Sequence, residues 1–151
     1  MTNEELKYRI SVISPLATID ESSDFLTIVV DSSTLLPLMN QIRADVDLDF
    51  DYLFCMTGID WKDHFMIVYH LTSKKFKHSI VIKAKINDIA DPKIESVNHL
   101  WKTAELNEDE IYDLLGIQFL HHPNLRRLFL EEDWKGYPLR KNYVDENMIK
   151  L

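Results

Sequence analysis

His64-Phe65-Met66-Ile67-Val68-Tyr69-His70-Leu71 and, a short basic link later, Ser79-Ile80-Val81-Ile82-Lys83-Ala84-Lys85-Ile86 decide the fold. In the first run Phe65, Ile67, Tyr69 and Leu71 fall on one face. In the second, Ile80, Ile82, Ala84 and Ile86 alternate against Ser79, Val81, Lys83 and Lys85. A period of two sends successive side chains to opposite sides of a strand. The link contains Lys74-Lys75-Phe76-Lys77, short enough for an antiparallel pair with one dry face and one wet face.

Working outward, residues 50–56 are apolar and aromatic and read as another strand, ending at the breaker Thr57-Gly58. Residues 25–30 are rich in β-branched side chains between Asp24 and Asp31 and read as a strand too. Asp31, Ser32, Ser33 or Thr34 then supplies a cap for a helix carrying Leu35, Leu36, Leu38, Met39 and Ile42, with Pro37 tolerated near its start. Residues 1–23 are polar, with Tyr8, Ile10, Val12 and Ile13 in a short helix or strand before Pro15. Downstream, Asp91-Pro92 opens a helix whose stripe is Ile94, Val97, Trp101, Ala104, Ile111 and Leu115; it is interrupted at Glu108 and ended by Gly116. The order predicts an α+β fold, a mostly antiparallel sheet with helices packed against it, over residues 1–116. An extended C-terminal arm over residues 117–151 follows, expected to contact a partner subunit.

The arm differs in character. It carries Pro123, Trp134, Gly136 and Pro138 and keeps neither period for long. Residues 126–151 hold 6 Lys+Arg and 5 Asp+Glu, whereas the whole chain of 151 residues holds 17 and 25, a net charge of -8. Such a segment either wraps over the chain's own sheet or lies on another subunit, where arginine and aromatic side chains concentrate binding energy. The acidic total repels phosphate backbones, so no nucleic-acid partner is expected. With 46% hydrophobic and 28% charged residues the composition is that of a globular domain. The apolar runs fall short of the roughly 20 residues a spanning helix needs. The first residues lack the basic and apolar regions of a secretion signal. The chain is therefore expected on the cytoplasmic side, reaching a membrane only through a partner.

The chemistry-bearing residues give weak patterns. His64 and His70 would share a strand face, His121 and His122 point apart, and neither HExxH nor CxxC accompanies them or His78 and His99. Asp45, Asp47, Asp49 and Asp51 alternate, but without the glycine of a calcium loop they read as a solvated edge. Glu105, Glu108, Asp109, Glu110 and Asp113 form an acidic cluster suited to pairing with Arg126 and Arg127. The lone cysteine, Cys55, reads as a buried thiol; one cysteine makes no intrachain disulfide and holds no cluster alone. Three glycines in all leave no phosphate-binding loop.

The arm also carries a long ordered pattern. It runs Glu108-Asp109-Glu110-Ile111-Tyr112-Asp113-Leu114-Leu115-Gly116-Ile117, then Phe119, then His122-Pro123-Asn124-Leu125-Arg126-Arg127-Leu128. It ends Asp133-Trp134-Lys135-Gly136-Tyr137-Pro138-Leu139-Arg140-Lys141-Asn142-Tyr143. This closely resembles the C-type subunit of respiratory complex I, in the NADH-quinone oxidoreductase family. Residues 50–53, 57–60 and 68–71 resemble the family's middle strands, so the likeness covers roughly residues 24–143. The family usually has Arg at Asp109, Trp at Leu106, Phe at Leu115, Gly at His121 and Asp at Asn142; the first reverses a charge.

The resemblance implies a component of the hydrophilic arm of a bacterial complex that passes electrons from NADH through FMN and iron–sulfur clusters to quinone, coupled to proton translocation. It implies no catalytic, cofactor-binding or metal-ligating residue in this chain, the FMN and clusters being held by partner subunits. The partners it implies are chiefly the quinone-site subunit of D type and adjacent iron–sulfur subunits, on the cytoplasmic face of the cell membrane, peripherally bound. The expected interface residues are His122, Pro123, Leu125, Arg126, Arg127 and Trp134, then Tyr137, Pro138, Leu139, Arg140, Lys141 and Tyr143. Three other readings stand beside this one: the related subunit of a membrane-bound hydrogenase or formate hydrogenlyase, a small metal enzyme using His64, His70 or the aspartates, and a binding module without respiratory role. The chain's end at Leu151 favours the complex I form over a fusion to a large metal-binding subunit.

Overall fold

The computed structural model describes residues 1–149; residues 150–151 of the expected arm lie outside the described residues. Helix α1 (Asn3–Ile13) opens on a capping box. The Glu5 N–H donates to the Thr2 hydroxyl and the Thr2 N–H to the Glu5 carboxylate. Leu6 and Ile10 face the core, while Tyr8 and Val12 face water. Strand β1 (Thr18–Asp20) follows, then β2 (Thr27–Asp31). A turn of 3-10 helix, Ser32–Thr34, is capped by the Asp31 carboxylate, which accepts the Ser33 N–H at 3.0 Å, and leads into α2 (Leu35–Ala44). Strands β3 (Tyr52–Asp60), β4 (Phe65–Thr72) and β5 (Ser79–Ile86) complete a sheet in the order β1-β2-β5-β4-β3. Every pair is antiparallel except β2 with β5. The expected α+β layering is the one found.

The dry face of β4 and β5 is the expected one, but the other face is not wholly wet, since Val68 and Val81 on it are buried. Phe65, Ile67, Tyr69, Leu71, Ile80, Ile82, Ala84 and Ile86 are all buried. One core joins them to Leu6 and Ile10 of α1 and to Leu38, Met39 and Ile42 of α2. Each such aliphatic side chain contributes about 1.5–3 kcal/mol when fully removed from water. Leu53 and Met56 of β3 point inward, but the ladder steps from Leu53 opposite Leu71 to Cys55 opposite His70. Phe54 is the extra residue of this bulge, and Cys55 is thereby turned to the exposed face. The expectation of a buried thiol is therefore corrected.

Two boundaries also differ from expectation. First, β3 does not stop at Thr57-Gly58. The glycine is there because a helix crosses it closely: a Cβ on Gly58 would lie 2.7 Å from Leu115 Cδ1 and 3.0 Å from Ile111 Cγ2. Second, the helix expected from Asp91-Pro92 begins only with α3 (Ala104–Leu115). Lys93–Glu95 is instead strand β6, paired in parallel with β7 (Gln118–Leu120). The Glu108 carboxylate takes the Val97 N–H at 2.9 Å and the Ser96 hydroxyl at 2.6 Å. The Trp101 indole N–H donates to the Phe50 carbonyl at 2.9 Å. Ile94, Val97 and Trp101 thus reach the core from a strand and turns whose spacing imitates a helical stripe. Ile117 and Phe119 are buried in the same core, so the body extends past residue 116 and the irregular chain begins at His121.

Candidate subunit interface

The last turns of α3 organise the arm. Asp113 is buried, and its Oδ2 accepts the N–H groups of Leu128, Phe129 and Leu130 at 3.1, 2.7 and 3.1 Å. Its Oδ1 accepts Arg127 Nη1 at 3.1 Å. Burial opposes ionisation of this carboxyl, but the donors of Phe129, Leu130, Arg127 and Leu128 outweigh it and hold its pKa below the usual value. Arg127 Nη1 also donates to the Asp113 carbonyl at 2.9 Å, and Nη2 to the carbonyls of Trp134 and Gly136, both at 3.0 Å. One buried carboxylate and one guanidinium thus fix the course of residues 127–136.

Gly116 ends α3 in the left-handed conformation at φ 72°, its N–H donating to the Tyr112 carbonyl at 2.8 Å. The arm then returns across this cap. A Cβ on Gly116 would lie 2.5 Å from the Tyr137 ring and 2.8 Å from Arg140 Nη2. Arg140 Nε donates to the Leu115 carbonyl at 2.6 Å, and the Leu139 N–H to the Leu114 carbonyl at 3.0 Å. The Tyr137 ring has the guanidinium carbons of Arg127 and Arg140 each 4.9 Å from its centre.

A second buried acid sits nearby. Burial pushes the pKa of Glu108 up to about 7, against the Ser96 hydroxyl, the Val97 N–H and His122. The His122 side chain is enclosed. Its Nε2 lies 3.0 Å from the Glu105 carbonyl and its Nδ1 accepts the Asn124 N–H at 3.0 Å, which places the ring proton on Nε2. Nε2 is also 3.8 Å from Glu108 and 3.6 Å from Asp109. Asp109 Oδ1 accepts the Arg126 N–H at 3.2 Å. The acidic cluster therefore does pair with the arm, through the Arg127 side chain and the Arg126 backbone.

The expected interface residues divide into two sets. His122, Leu125, Arg127, Tyr137, Pro138, Arg140 and Tyr143 pack wholly or partly on the chain itself, Tyr143 donating to Asp145 at 2.9 Å. Pro123, Arg126, Trp134, Leu139 and Lys141 face outward. The structure adds outward apolar residues that sequence reasoning missed. Phe129 is 67% exposed, Val144 75% and Ile149 86%, beside Leu139 at 59%. The available signal was apolar residues without a period in a segment bounded by charges.

The other candidates are dispersed. His64 precedes β4 and pairs with Asp63 at 2.7 Å, while His70 lies near the far end of that strand between Phe25 and Phe54. Six residues of strand separate them by roughly 20 Å. Asp45 and Asp47 both bind Arg9, Asp49 binds Arg43 and Asp51 binds Lys74. His121 pairs with Glu95 at 2.8 Å. Among the described residues no group of three His, Cys, Asp or Glu side chains converges as a metal site would need. No helix among them is long and apolar enough to cross a membrane.

Known proteins are similar to this chain in sequence and in fold. Over 102 residues the chain is 46% identical to the NADH-quinone oxidoreductase C/D subunit of Phocaeicola vulgatus, a match covering 67% of this chain and 20% of that protein. The chain thus spans about a fifth of that longer relative. Over 141 residues it is 35% identical to the NADH-quinone oxidoreductase C subunit of Herpetosiphon aurantiacus, covering 91% and 82%. The fold matches, at a TM-score of 0.74 and 21% identity, a chain of the membrane-bound sulfane sulfur reductase, an archaeal respiratory membrane complex, covering 93% and 85%. Residues 28–147 match the family described as respiratory-chain NADH dehydrogenase, 30 Kd subunit, and the chain belongs to that family, the C-type subunits of NADH-quinone oxidoreductase.

Proposed function

We propose that this chain is a cofactor-free, non-catalytic structural subunit of the hydrophilic arm of a bacterial NADH-quinone oxidoreductase. Its C-terminal arm grips a D-type quinone-site subunit. The complex it serves transfers electrons from NADH through FMN and iron–sulfur clusters, all held by other subunits, to quinone, coupled to proton translocation. The chain reaches the cytoplasmic face of the membrane peripherally, through its partners. Relatives bearing the joint C/D name, of which this chain matches a fifth in the Phocaeicola vulgatus case, support a D-type neighbour.

One observation carries the reading: Phe129, Leu139 and Val144 are held out to solvent on an irregular segment pinned from inside, residues 127–136 by Asp113 and Arg127 and Leu139 by the Leu114 carbonyl. Ordering a segment before it binds removes part of the entropic cost of association. The apolar groups are then free to bury themselves on a partner. The double variant Phe129→Asp with Leu139→Asp tests this. Both residues are exposed, so the variant keeps the thermal stability of the isolated chain and loses co-purification with the D-type subunit from membranes. Full assembly of the variant refutes the grip. Stoichiometric metal or flavin in the purified chain refutes the cofactor-free role.

A further inference from the structure

The β3–β4 hairpin and the arm enclose a cleft of about 290 Å³ lined by Asp60, Lys62, Phe65, Ile89, Arg140 and Lys141. Its one acid is already engaged: Asp60 Oδ1 accepts the Lys62 N–H at 2.7 Å and Oδ2 the Lys141 N–H at 2.9 Å, tying hairpin to arm. None of the three cations has an acidic partner within ion-pair distance among the described residues. Each stands ready in a different way. Arg140 is clamped by its Nε bond to Leu115 and by the rings of Phe65, at 5.3 Å, and Tyr137, at 4.9 Å. Its two terminal nitrogens donate to no acceptor among the described residues. Lys141 Nζ rests 5.6 Å over the Trp61 ring, which stacks on His64. Lys62 is held at φ 74° by the turn.

Three cations against the one carboxylate of Asp60 leave the cleft with an excess of positive charge in a chain of net charge -8, which suits an acidic partner. A positioned guanidinium fork matches a planar carboxylate with two parallel bonds. Phe65 and Ile89 give the cleft an apolar floor.

We propose that the cleft receives a glutamate or aspartate side chain from an acidic segment of the neighbouring subunit, forked by Arg140 and flanked by Lys62 and Lys141. This rests on the subunit role above and names the chemistry of the partner. The apolar floor of Phe65 and Ile89 and the planar fork of Arg140 favour a peptide carboxylate over phosphate or a lipid headgroup.

The test has two arms. In the intact complex purified from membranes, a carbodiimide adds to a carboxyl group to give an O-acylisourea, and a touching lysine Nζ that has given up its proton displaces the urea to form an amide. Mass spectrometry is expected to find Lys62 or Lys141 joined to an Asp or Glu of another subunit. Links only within this chain, or none, overturn the proposal while an intact complex leaves the grip of the arm standing. Links that persist when Phe129→Asp with Leu139→Asp still assembles overturn the grip and keep the cleft. In the isolated full chain, acetyl-tetraglutamate amide is titrated at low salt and followed by amide chemical shifts. Shifts at Lys62, Arg140 and Lys141 are expected, with affinity falling about tenfold in Lys62→Gln with Lys141→Gln. No shift, equal shifts with inorganic phosphate, or sedimentation of the chain with phosphatidylglycerol vesicles overturns the proposal.

Discussion

Replacing Asp113 by alanine removes the acceptor for three backbone N–H groups and for Arg127 in one step. Hydrogen bonds to a charged group contribute about 1.5–3 kcal/mol each, and breaking a buried ionic pair costs about 3–5 kcal/mol. Once the arm loosens, the three N–H groups and Arg127 regain water, which puts the net loss at the low end, about 3 kcal/mol. The loss is local, because Ile117 and Phe119 keep their places in the core while residues 127–136 lose their anchor. Native-state hydrogen exchange reads this directly. Amides of Leu128, Phe129 and Leu130 should exchange about a hundredfold faster, as 3 kcal/mol is roughly two decades. Amides of Ile67 and Ile82 should be unchanged. Equal acceleration in sheet and arm, or an arm exchanging as before, refutes the assignment of Asp113 as the arm's anchor. Because its pKa is depressed in the folded chain, its contribution is complete above the ordinary value of 3.8 and is lost as pH falls through the lower folded value.

Glu108 titrates with the opposite sign. Its folded pKa of about 7 lies above the ordinary 4.5, so the folded chain holds the extra proton and stability falls between those values as pH rises, by up to about 3 kcal/mol. Glu108→Gln, which still offers an oxygen to Val97 and an N–H to Ser96, should remove that slope from urea unfolding measured at pH 5 and pH 7.5. Gly58→Ala drives a methyl against Leu115 and Ile111 and should destabilise by about 1–3 kcal/mol, read as a lower urea midpoint. Gly116→Ala combines a left-handed alanine, costing about 1–2 kcal/mol, with a clash on Tyr137, and should raise exchange at residues 137–140 as well as lower the melting temperature.

What was legible in the sequence is what a half-buried sheet writes there. The alternation of Phe65, Ile67, Tyr69 and Leu71 survives because one face is wholly buried, while the other carries half-buried Met66, His70, Lys83 and Lys85 around buried Val68 and Val81. Three-residue strands such as β1, β6 and β7 are too short to show a period, and the apolar residues at 94, 97 and 101 happen to fit a helix. The single extra residue at Phe54 turned Cys55 outward, a local event that composition does not record. Glu108 was visible as a break in a stripe and as one member of an acidic cluster, but not as a buried acid. It lies on the buried face because Ser96, Val97 and His122 surround it, and those partners come from segments 10 or more residues away.

The arginines of the arm show how residue type and role part company. Arginine is common in binding hot spots, and by that measure Arg126, Arg127 and Arg140 are equivalent. In the structure Arg127 has both terminal nitrogens on acceptors of its own chain, Arg140 has its Nε so engaged and its fork without an acceptor among the described residues, and the Arg126 side chain stands in solvent. Arg127→Ala should therefore weaken assembly only by loosening the arm, so that partner retention and exchange protection of residues 128–136 fall together. Leu139→Ala should weaken retention with protection intact. If Arg127→Ala lowers retention while the isolated arm stays protected, Arg127 touches the partner itself and the internal staple is not what shapes the grip.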